Sequence, residues 1–245
     1  MEYCCVTDPG KVRDHNEDSV AIVKNVNDEI LMAVSDGMGG HRGGEIASSI
    51  AINVLTKRFS AFDKLGKKEE TIVWIRDAVS EANMEIYKYT KEHPESEGMG
   101  TTIVLAILTH DYLLFGNIGD SSGFVIKNDK LHKITMDHTL VNLLVKSGEL
   151  TEEEAKNHPK KNILMRALGA NNPIEIDIFD VEDEIEGIVL CSDGLTSMLN
   201  NTQIEKVLLQ EGPLDEKVIK LIRKANIRGG TDNISVACLF PKEAE

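Results

Sequence analysis

Residues 101–135, TTIVLAILTHDYLLFGNIGDSSGFVIKNDKLHKIT, contain four short apolar segments separated by glycine and polar residues. These segments, TTIVLAIL, YLLFGNI, SGFVIK and KLHKIT, have the length and the β-branched or large apolar composition that are typical of strands. Because the connections are short, we expect consecutive segments to pair as antiparallel hairpins. The stretch therefore predicts the middle of an antiparallel β-structure.

Further strand and helix patterns lie on both sides of this stretch. The strand-like segments are EYCCVTD, SVAIVKN, EILMAVSD, IEIDIFDV, GIVLCSD and NISVACLF. Apolar residues at helical spacing predict helices in residues 46–55, 72–89, 203–209 and 215–226. Runs of strands separated by runs of helices indicate an α+β fold. We therefore predict a central antiparallel β-sandwich of two packed sheets, with pairs of helices outside it.

Composition limits the classes of partner. The chain has 245 residues, with 27 basic and 41 acidic side chains and a net charge of −14, which argues against a nucleic-acid partner. No apolar run is long enough to insert into a membrane, and the N-terminus lacks a signal-peptide pattern, so we expect a cytoplasmic protein. We expect the four cysteines to be reduced and structural.

Aspartates recur near the ends of the predicted strands, each with a glycine beside it or close by. They are Asp36, Asp120, Asp193 and Asp232. An Asp-Gly pair after a strand is most often only a turn, but the segment SDG occurs twice, at 35–37 and 192–194. Several carboxylates that meet in one pocket would repel one another, and they are oxygen ligands suited to Mg²⁺ or Mn²⁺. The pattern favours a divalent metal site.

The segment GKVRDHNEDS places Arg13, Glu17 and Asp18 together before a predicted strand. One interpretation is a charged turn whose ion pairs contribute little. The other is a phosphate site, since the guanidinium of an arginine matches phosphate oxygens and nearby carboxylates can hold metal-bound water. The sequence up to this point leaves both open.

Eight segments together resemble the bacterial branch of the metal-dependent protein phosphatase family, often called PP2C-type. They are GKVRDHNED, SDGMGGHRGGEIAS, GMGTTIV, GNIGDSSG, DHTLVNLLVKSGEL, HPKKNILMRALG, CSDGLTSML and GGTDNISV. They follow the order of the family and extend from Thr7 to Val236. Residues 137–148 and 158–169 resemble especially the phosphatases that partner transmembrane Ser/Thr kinases in Gram-positive bacteria.

The resemblance implies one four-layered PP2C-like domain over residues 1–245, with a flap over about 137–162. It implies two or three divalent ions, Mn²⁺ or Mg²⁺. By this resemblance, Asp36 bridges two metals, the carbonyl of Gly37 ligates one of them, and Asp193 and Asp232 ligate the other. Glu17 acts through metal-bound water with support from Asp18, and Asp120 with Asp193 forms a weaker third metal site. Arg13 holds the phosphoryl group of the substrate.

The sequence departs from the family pattern at two positions. Met38 stands where many eukaryotic members have a histidine proposed to protonate the leaving alcohol, so the general acid is open; His41 or a metal-bound water are candidates. Ser122 replaces a common arginine, which removes no ligand. His138 and His158 border the flap and have either a substrate-contact role or a capping role.

The implied reaction is hydrolysis of phosphoserine and phosphothreonine on proteins by metal-activated water, opposing a Ser/Thr kinase. The expected partners are phosphoproteins, a cognate transmembrane kinase and its substrates, and the expected oligomeric state is a monomer. The alternatives are a phosphatase of an anti-sigma-factor antagonist, a catalytically inactive phosphopeptide-binding module, and a simple Ca²⁺-binding protein. An intact set of aspartates argues against the inactive module, and the absence of EF-hand spacing argues against the Ca²⁺-binding protein.

Overall fold

The computed structural model describes residues 1–39, 42–170 and 173–241. Its strands are β1 (Glu2–Asp8), β2 (Asp18–Lys24), β3 (Ile30–Met38), β4 (Gly100–Thr101), β5 (Ile103–Leu108), β6 (Leu113–Ile118), β7 (Ser122–Lys127), β8 (Lys130–Lys133), β9 (Asp177–Val181), β10 (Gly187–Cys191) and β11 (Ile234–Phe240). Its α-helices are α1 (Gly43–Ser60), α2 (Lys68–Glu92), α3 (Leu140–Lys146), α4 (Glu152–Lys156), α5 (Asp193–Thr196), α6 (Asn201–Leu208) and α7 (Leu214–Ile227).

The strands form two antiparallel sheets. One has the order β1-β11-β10-β7-β8, and the other has the order β2-β3-β5-β6-β9 with the short β4 paired to β3. The expected α+β fold with a β-sandwich is confirmed. Among the described residues, no helix is long and apolar enough to cross a membrane.

One of the expected hairpins is wrong. β5 pairs with β6 and β7 pairs with β8, but β6 and β7 belong to different sheets. The chain crosses between the sheets at residues 119–121, where Gly119 has a φ of +103° that a side chain rarely adopts. Both strands are almost wholly buried, so their apolar composition did not show which sheet each one joins.

Alternation along β3 shows how the layers are packed. Leu31 and Ala33 face a cluster that includes α1 and α2, whereas Met32 and Val34 face the space between the sheets. All four side chains are buried, because successive residues of a strand point to opposite faces and here both faces are covered. This explains why the segment is a continuous apolar run.

Three apolar clusters fill the spaces between four layers. The first, with Leu55 and Ile75, joins α1 and α2 to the six-stranded sheet. The second, with Leu221, joins α5, α6 and α7 to the five-stranded sheet, and the third, with Phe115, lies between the sheets. Residues 137–162, the predicted flap, contain α3 and α4.

We expect Phe115→Ala to lower the free energy of unfolding by about 3–5 kcal/mol, because it opens a cavity between the sheets. Phe115 is fully buried. Urea denaturation measures the change. Tyr87→Ala, at a position that is 42% exposed on α2, is the matched control and should cost less than about 1 kcal/mol. Equal effects of the two substitutions would contradict this packing.

Candidate functional site

A pocket of about 600 Å³ lies at one end of the two sheets. Seven of the eight predicted site residues line it: Arg13, Glu17, Asp36, Gly37, Asp120, Asp193 and Asp232. Asp18, the eighth, is buried beside the pocket. The remaining lining comes from Met38, Gly39 and Thr102, and from a segment that begins at the end of the flap: Asn162, Leu164, Met165, Arg166, Ala167 and Ala170.

The carboxylates come from both sheets. Asp18 begins β2 and stands directly opposite Asp36 of β3 in the strand register. Asp120 follows β6, and Asp232 precedes β11. Asp193 is the first residue of α5 rather than the end of a strand, because β10 already ends at Cys191. The arrangement places like charges side by side, which costs free energy unless a cation or a proton compensates.

Two adjacent threonines fix the backbone of Asp36. The hydroxyl of Thr101 donates to the Asp36 carbonyl at 2.8 Å, and the backbone N–H of Thr102 donates to the same carbonyl at 2.9 Å. The backbone N–H of Asp36 donates to the Thr102 hydroxyl at 2.9 Å. The TT pair was predicted only as strand, although hydroxyls beside a predicted metal aspartate are a signal for such a clamp.

The Asp36–Gly37 segment lies against α1 with no room for a side chain. A Cβ atom on Gly37 would stand 2.1 Å from the carbonyl oxygen of Gly44 and 2.5 Å from that of Glu17. The Gly37 N–H donates to the Glu17 carbonyl at 3.1 Å. The lack of a side chain at Gly37 therefore allows its backbone to meet the backbones of Glu17 and Gly44 at the pocket.

Asn233 organises the loop that carries Arg13 and Glu17. Its side-chain amide donates to the carbonyls of Pro9 and His15, both at 2.9 Å, and its side-chain oxygen accepts from the N–H of Glu17 at 2.8 Å. Asn233 is 5% exposed. No role was predicted for Asn233, although an asparagine directly after a predicted metal aspartate is a usable signal.

Arg13 forms an ion pair with Asp232 in the pocket. Its Nη2 donates to Asp232 Oδ2 at 2.9 Å, and this bond raises the pKa of Arg13 above its ordinary value. The Arg13 side chain is 52% exposed, so it presents further donors to solvent. An arginine that already neutralises one carboxylate can turn its free edge toward an incoming phosphate.

Burial and mutual repulsion disfavour the charged forms of the carboxylates. Burial raises the pKa of Asp18 and of Asp120 to about 7 each, with the charge of Asp193 adding to the rise in both. Burial followed by the charge of Asp232 raises the pKa of Asp193 to about 6. Burial, followed by the charge of Asp18, raises the pKa of Asp36 well above its ordinary value.

The residues fit divalent cations by their chemistry. The donors are hard oxygens. The Oδ2 atom of Asp18 accepts from Ser192 at 2.7 Å, whereas its buried Oδ1 has no hydrogen-bond partner in the part of the chain that the structure describes. Within the described ranges, no three His, Cys, Asp or Glu side chains already form a closed ligand cluster. The carboxylates instead line an open pocket, and a cation would remove the repulsion that raises their pKa values.

The turn that carries Asp120 is held from behind by His138. The backbone N–H of Gly119 donates to the ring nitrogen Nδ1 of His138 at 3.2 Å, and the backbone N–H of His138 donates to the Gly119 carbonyl at 2.8 Å. The other ring nitrogen, Nε2, bonds Asp177 Oδ2 at 3.1 Å. His138 therefore supports the turn from the interior, and neither Asp177 nor its second partner Arg166 was predicted from the sequence.

The other sequence-based candidates have simpler positions. His41 lies outside the described residues. His158 Nδ1 accepts from the N–H of Lys160 at 3.1 Å, which is a local turn contact. Ser122 begins β7, and its buried hydroxyl has no hydrogen-bond partner among the described residues. All four cysteines are free thiols.

Comparison with known proteins gives consistent matches over the whole chain. A family model described as protein phosphatase 2C matches residues 11–225. The chain is 42% identical to the serine/threonine phosphatase stp of Listeria monocytogenes, over 94% of this chain and 92% of that protein. The serine/threonine phosphatase of S. agalactiae superposes with a TM-score of 0.93 at 39% identity, covering 98% of this chain and 99% of that one. The catalytic domain of the phosphatase PstP, solved with two manganese ions, superposes with a TM-score of 0.84 at 33% identity, covering 97% and 96%.

The protein in chelator should be more stable near about pH 5.5 than near about pH 7.5. The pKa values of Asp18 and Asp120 are raised to about 7 and that of Asp193 to about 6, so the folded protein binds more protons than the unfolded chain between about pH 4 and these values. The stability that the folded protein gains from keeping these carboxyls protonated is fully present below that window and is lost as the pH rises through it. Thermal melting at both pH values measures the difference.

Added Mn²⁺ should oppose this pH dependence, because it binds the ionised carboxylates and so stabilises the folded protein more at the higher pH, and Asp18→Asn should reduce the dependence in chelator. Asp77→Asn, at an exposed position of α2, is the control and should leave the slope unchanged. A melting temperature in chelator that rises between the two pH values would show that the buried carboxylates do not repel one another as described.

Proposed function

The chain belongs to the protein phosphatase 2C family and is a protein serine/threonine phosphatase, and we propose that the acidic pocket is where it hydrolyses phosphoserine and phosphothreonine. The observation that carries this proposal is the convergence of five carboxylates and Arg13 on one pocket. A phosphate ester is an anion, and a pocket of carboxylates alone would repel it. Dependence on divalent metal, a property of the family, resolves this conflict.

We propose that Asp36 and the Gly37 carbonyl, together with Glu17, Asp193 and Asp232, hold two divalent ions, Mn²⁺ or Mg²⁺. Asp120 and Asp193 would hold a weaker third ion. When bound, the ions supply Lewis-acid activation of water and stabilise charge on the phosphoryl oxygens. Asp18, whose Oδ2 is fixed by Ser192, would support the water bound there by accepting a hydrogen bond through its Oδ1.

Arg13 would receive the phosphoryl group through the edge of its guanidinium that faces away from Asp232. Its planar pair of N–H donors matches two phosphate oxygens, and it would stabilise the charge that develops on them during in-line attack. Met38 and its neighbours Gly37 and Gly39 have no side chain that can donate a proton. Water or His41 would therefore supply the proton for the leaving alcohol.

We infer a single catalytic domain over residues 1–245 that acts as a cytoplasmic monomer on phosphoproteins. A cognate transmembrane Ser/Thr kinase and its substrates are the proposed partners. The similarity of the whole chain to bacterial serine/threonine phosphatases supports this role. It does not favour an inactive phosphopeptide-binding module, since every predicted carboxylate is present, nor a phosphatase dedicated to an anti-sigma-factor antagonist.

Purified protein should release phosphate from p-nitrophenyl phosphate and from a phosphothreonine peptide only when Mn²⁺ or Mg²⁺ is present. Asp193→Asn should lower kcat by about a hundredfold or more, because it removes a ligand charge at the centre of the pocket. Phosphate release measured with increasing metal concentration tests both statements.

Asp111→Asn, an exposed substitution of the same type, is the control and should retain wild-type turnover. Calorimetric titration of both variants with Mn²⁺ measures metal binding, and their circular dichroism spectra show whether each variant is folded. Near wild-type turnover of Asp193→Asn in saturating Mn²⁺, or metal-independent hydrolysis by the wild type, would refute the assigned site.

Arg13→Ala should raise KM for the phosphothreonine peptide by about tenfold or more, because it removes charge-assisted hydrogen bonds to the phosphoryl group. The measurement is made in saturating Mn²⁺, since Arg13 also pairs with Asp232. Arg223→Ala, exposed on α7, is the matched control and should leave KM unchanged. Unchanged KM and kcat in Arg13→Ala would remove Arg13 from the site.

A further inference from the structure

A second arginine lines the pocket that holds the carboxylates. Arg166 lies on the segment that follows the flap, whereas Arg13 lies in the N-terminal loop. Among the described residues that line the pocket, these two are the positively charged side chains. The Arg166 side chain is 40% exposed, so more than half of it is covered by the surrounding protein while the rest faces solvent. The chemistry proposed above makes no use of it.

Arg166 is anchored through one side of its guanidinium group. Its Nη1 donates to Asp177 Oδ1 at 2.7 Å, and this is its single hydrogen bond in the described part of the chain. A guanidinium carries five N–H donors in a rigid plane. The donors that do not face Asp177 are therefore available to a ligand in the pocket.

Asp177 is itself held by a chain of hydrogen bonds that begins at the Asp120 turn. A backbone N–H can only donate, so the bond from Gly119 leaves His138 Nδ1 unprotonated. The proton is then on Nε2, which donates to Asp177 Oδ2 at 3.1 Å. Burial lowers the pKa of His138, consistent with this neutral form. Asp177 thus receives one donor from His138 and one from Arg166.

The pocket wall that carries Arg166 is fixed at several points. Met165 N–H donates to the His138 carbonyl at 2.8 Å, and Leu168 N–H donates to the Thr101 carbonyl at 2.8 Å. Leu164 forms an isolated antiparallel bridge with Thr139. Since the backbone on both sides of Arg166 is held, the guanidinium can meet a ligand with little loss of conformational freedom.

We propose that Arg166 is a second anion subsite, which binds an acidic or phosphorylated residue close to the phosphoresidue of the substrate. This inference rests on the proposed function, in which the phosphoresidue to be hydrolysed binds to Arg13 and the metal ions. A planar guanidinium edge matches a carboxylate or a phosphate. The Arg166–Asp177 pair is neutral as a whole, so the attraction comes from directed donors and is modest rather than large.

Phosphothreonine peptides that differ in one neighbouring residue test the subsite. That residue is alanine, glutamate or a non-hydrolysable phosphonate analogue of phosphothreonine, placed in turn at each nearby position on either side. For wild-type protein in saturating Mn²⁺, we expect one position at which the anionic peptides exceed the alanine peptide in kcat/KM by about tenfold. Preference for both anions assigns a general anion subsite, and preference for the phosphonate alone assigns a subsite for a second phosphate.

Arg166→Gln should bring this ratio of kcat/KM values close to one, and Arg166→Lys should give an intermediate ratio because lysine lacks the planar fork. Asp177→Asn should also lower the ratio, since it replaces the carboxylate that positions Arg166 with a neutral amide. Arg76→Gln, exposed on α2, makes the same change in charge away from the pocket and should keep the wild-type ratio. The ratio compares two substrates of one variant, so a general loss of stability does not change it.

Two results would overturn the subsite. One is a wild-type ratio near one at every position, and the other is an Arg166→Gln variant that keeps the wild-type preference, which would make Arg166 only a structural support for Asp177. If either occurs while p-nitrophenyl phosphate is still hydrolysed with Mn²⁺, the subsite alone is wrong. Absence of any Mn²⁺-dependent hydrolysis would overturn the proposed function and the subsite together.

Discussion

Repulsion among buried carboxylates is the constraint on which the arrangement of this protein depends. Asp18 and Asp36 face each other across two paired strands, and burial together with neighbouring charge raises the pKa of both. Hydrophobic packing holds them there, since the strands on which they stand are buried between a helical layer and a second sheet. The core thus supplies the free energy that keeps charges of the same sign together, and cations that bind there recover it.

The fold and most of the site could be predicted from the sequence because they depend on local patterns. Apolar alternation and helical spacing predicted the strands and the helix pairs, and the aspartates beside glycine predicted the pocket. The sheet that each strand joins was not predictable in the same way. β6 and β7 are separated by only a short turn, yet they enter different sheets, and nothing in two almost wholly buried strands distinguishes a hairpin from a crossing.

Residues that act by holding other residues were the ones missed. Asn233 fixes the loop of Arg13 and Glu17 through contacts that are more than 200 positions apart in sequence. His138 and Arg166 both bond Asp177, and these bonds join residues that are 39 and 11 positions apart in sequence. Such contacts depend on tertiary structure, whereas the aspartates carry their signal in the adjacent glycine. The resemblance to a family supplied the ligand roles, but it gave no account of these supports.

The pocket draws Asp36 from β3 of one sheet, Asp193 and Asp232 from residues that follow β10 and precede β11 of the other, and Asp120 from the crossing between the sheets. Ions bound between them would therefore link the two sheets of the sandwich. Binding to the folded form alone stabilises it in proportion to the logarithm of the free ion concentration. The supply of manganese or magnesium in the cell would then set how long each molecule survives proteolysis, in addition to how fast it works.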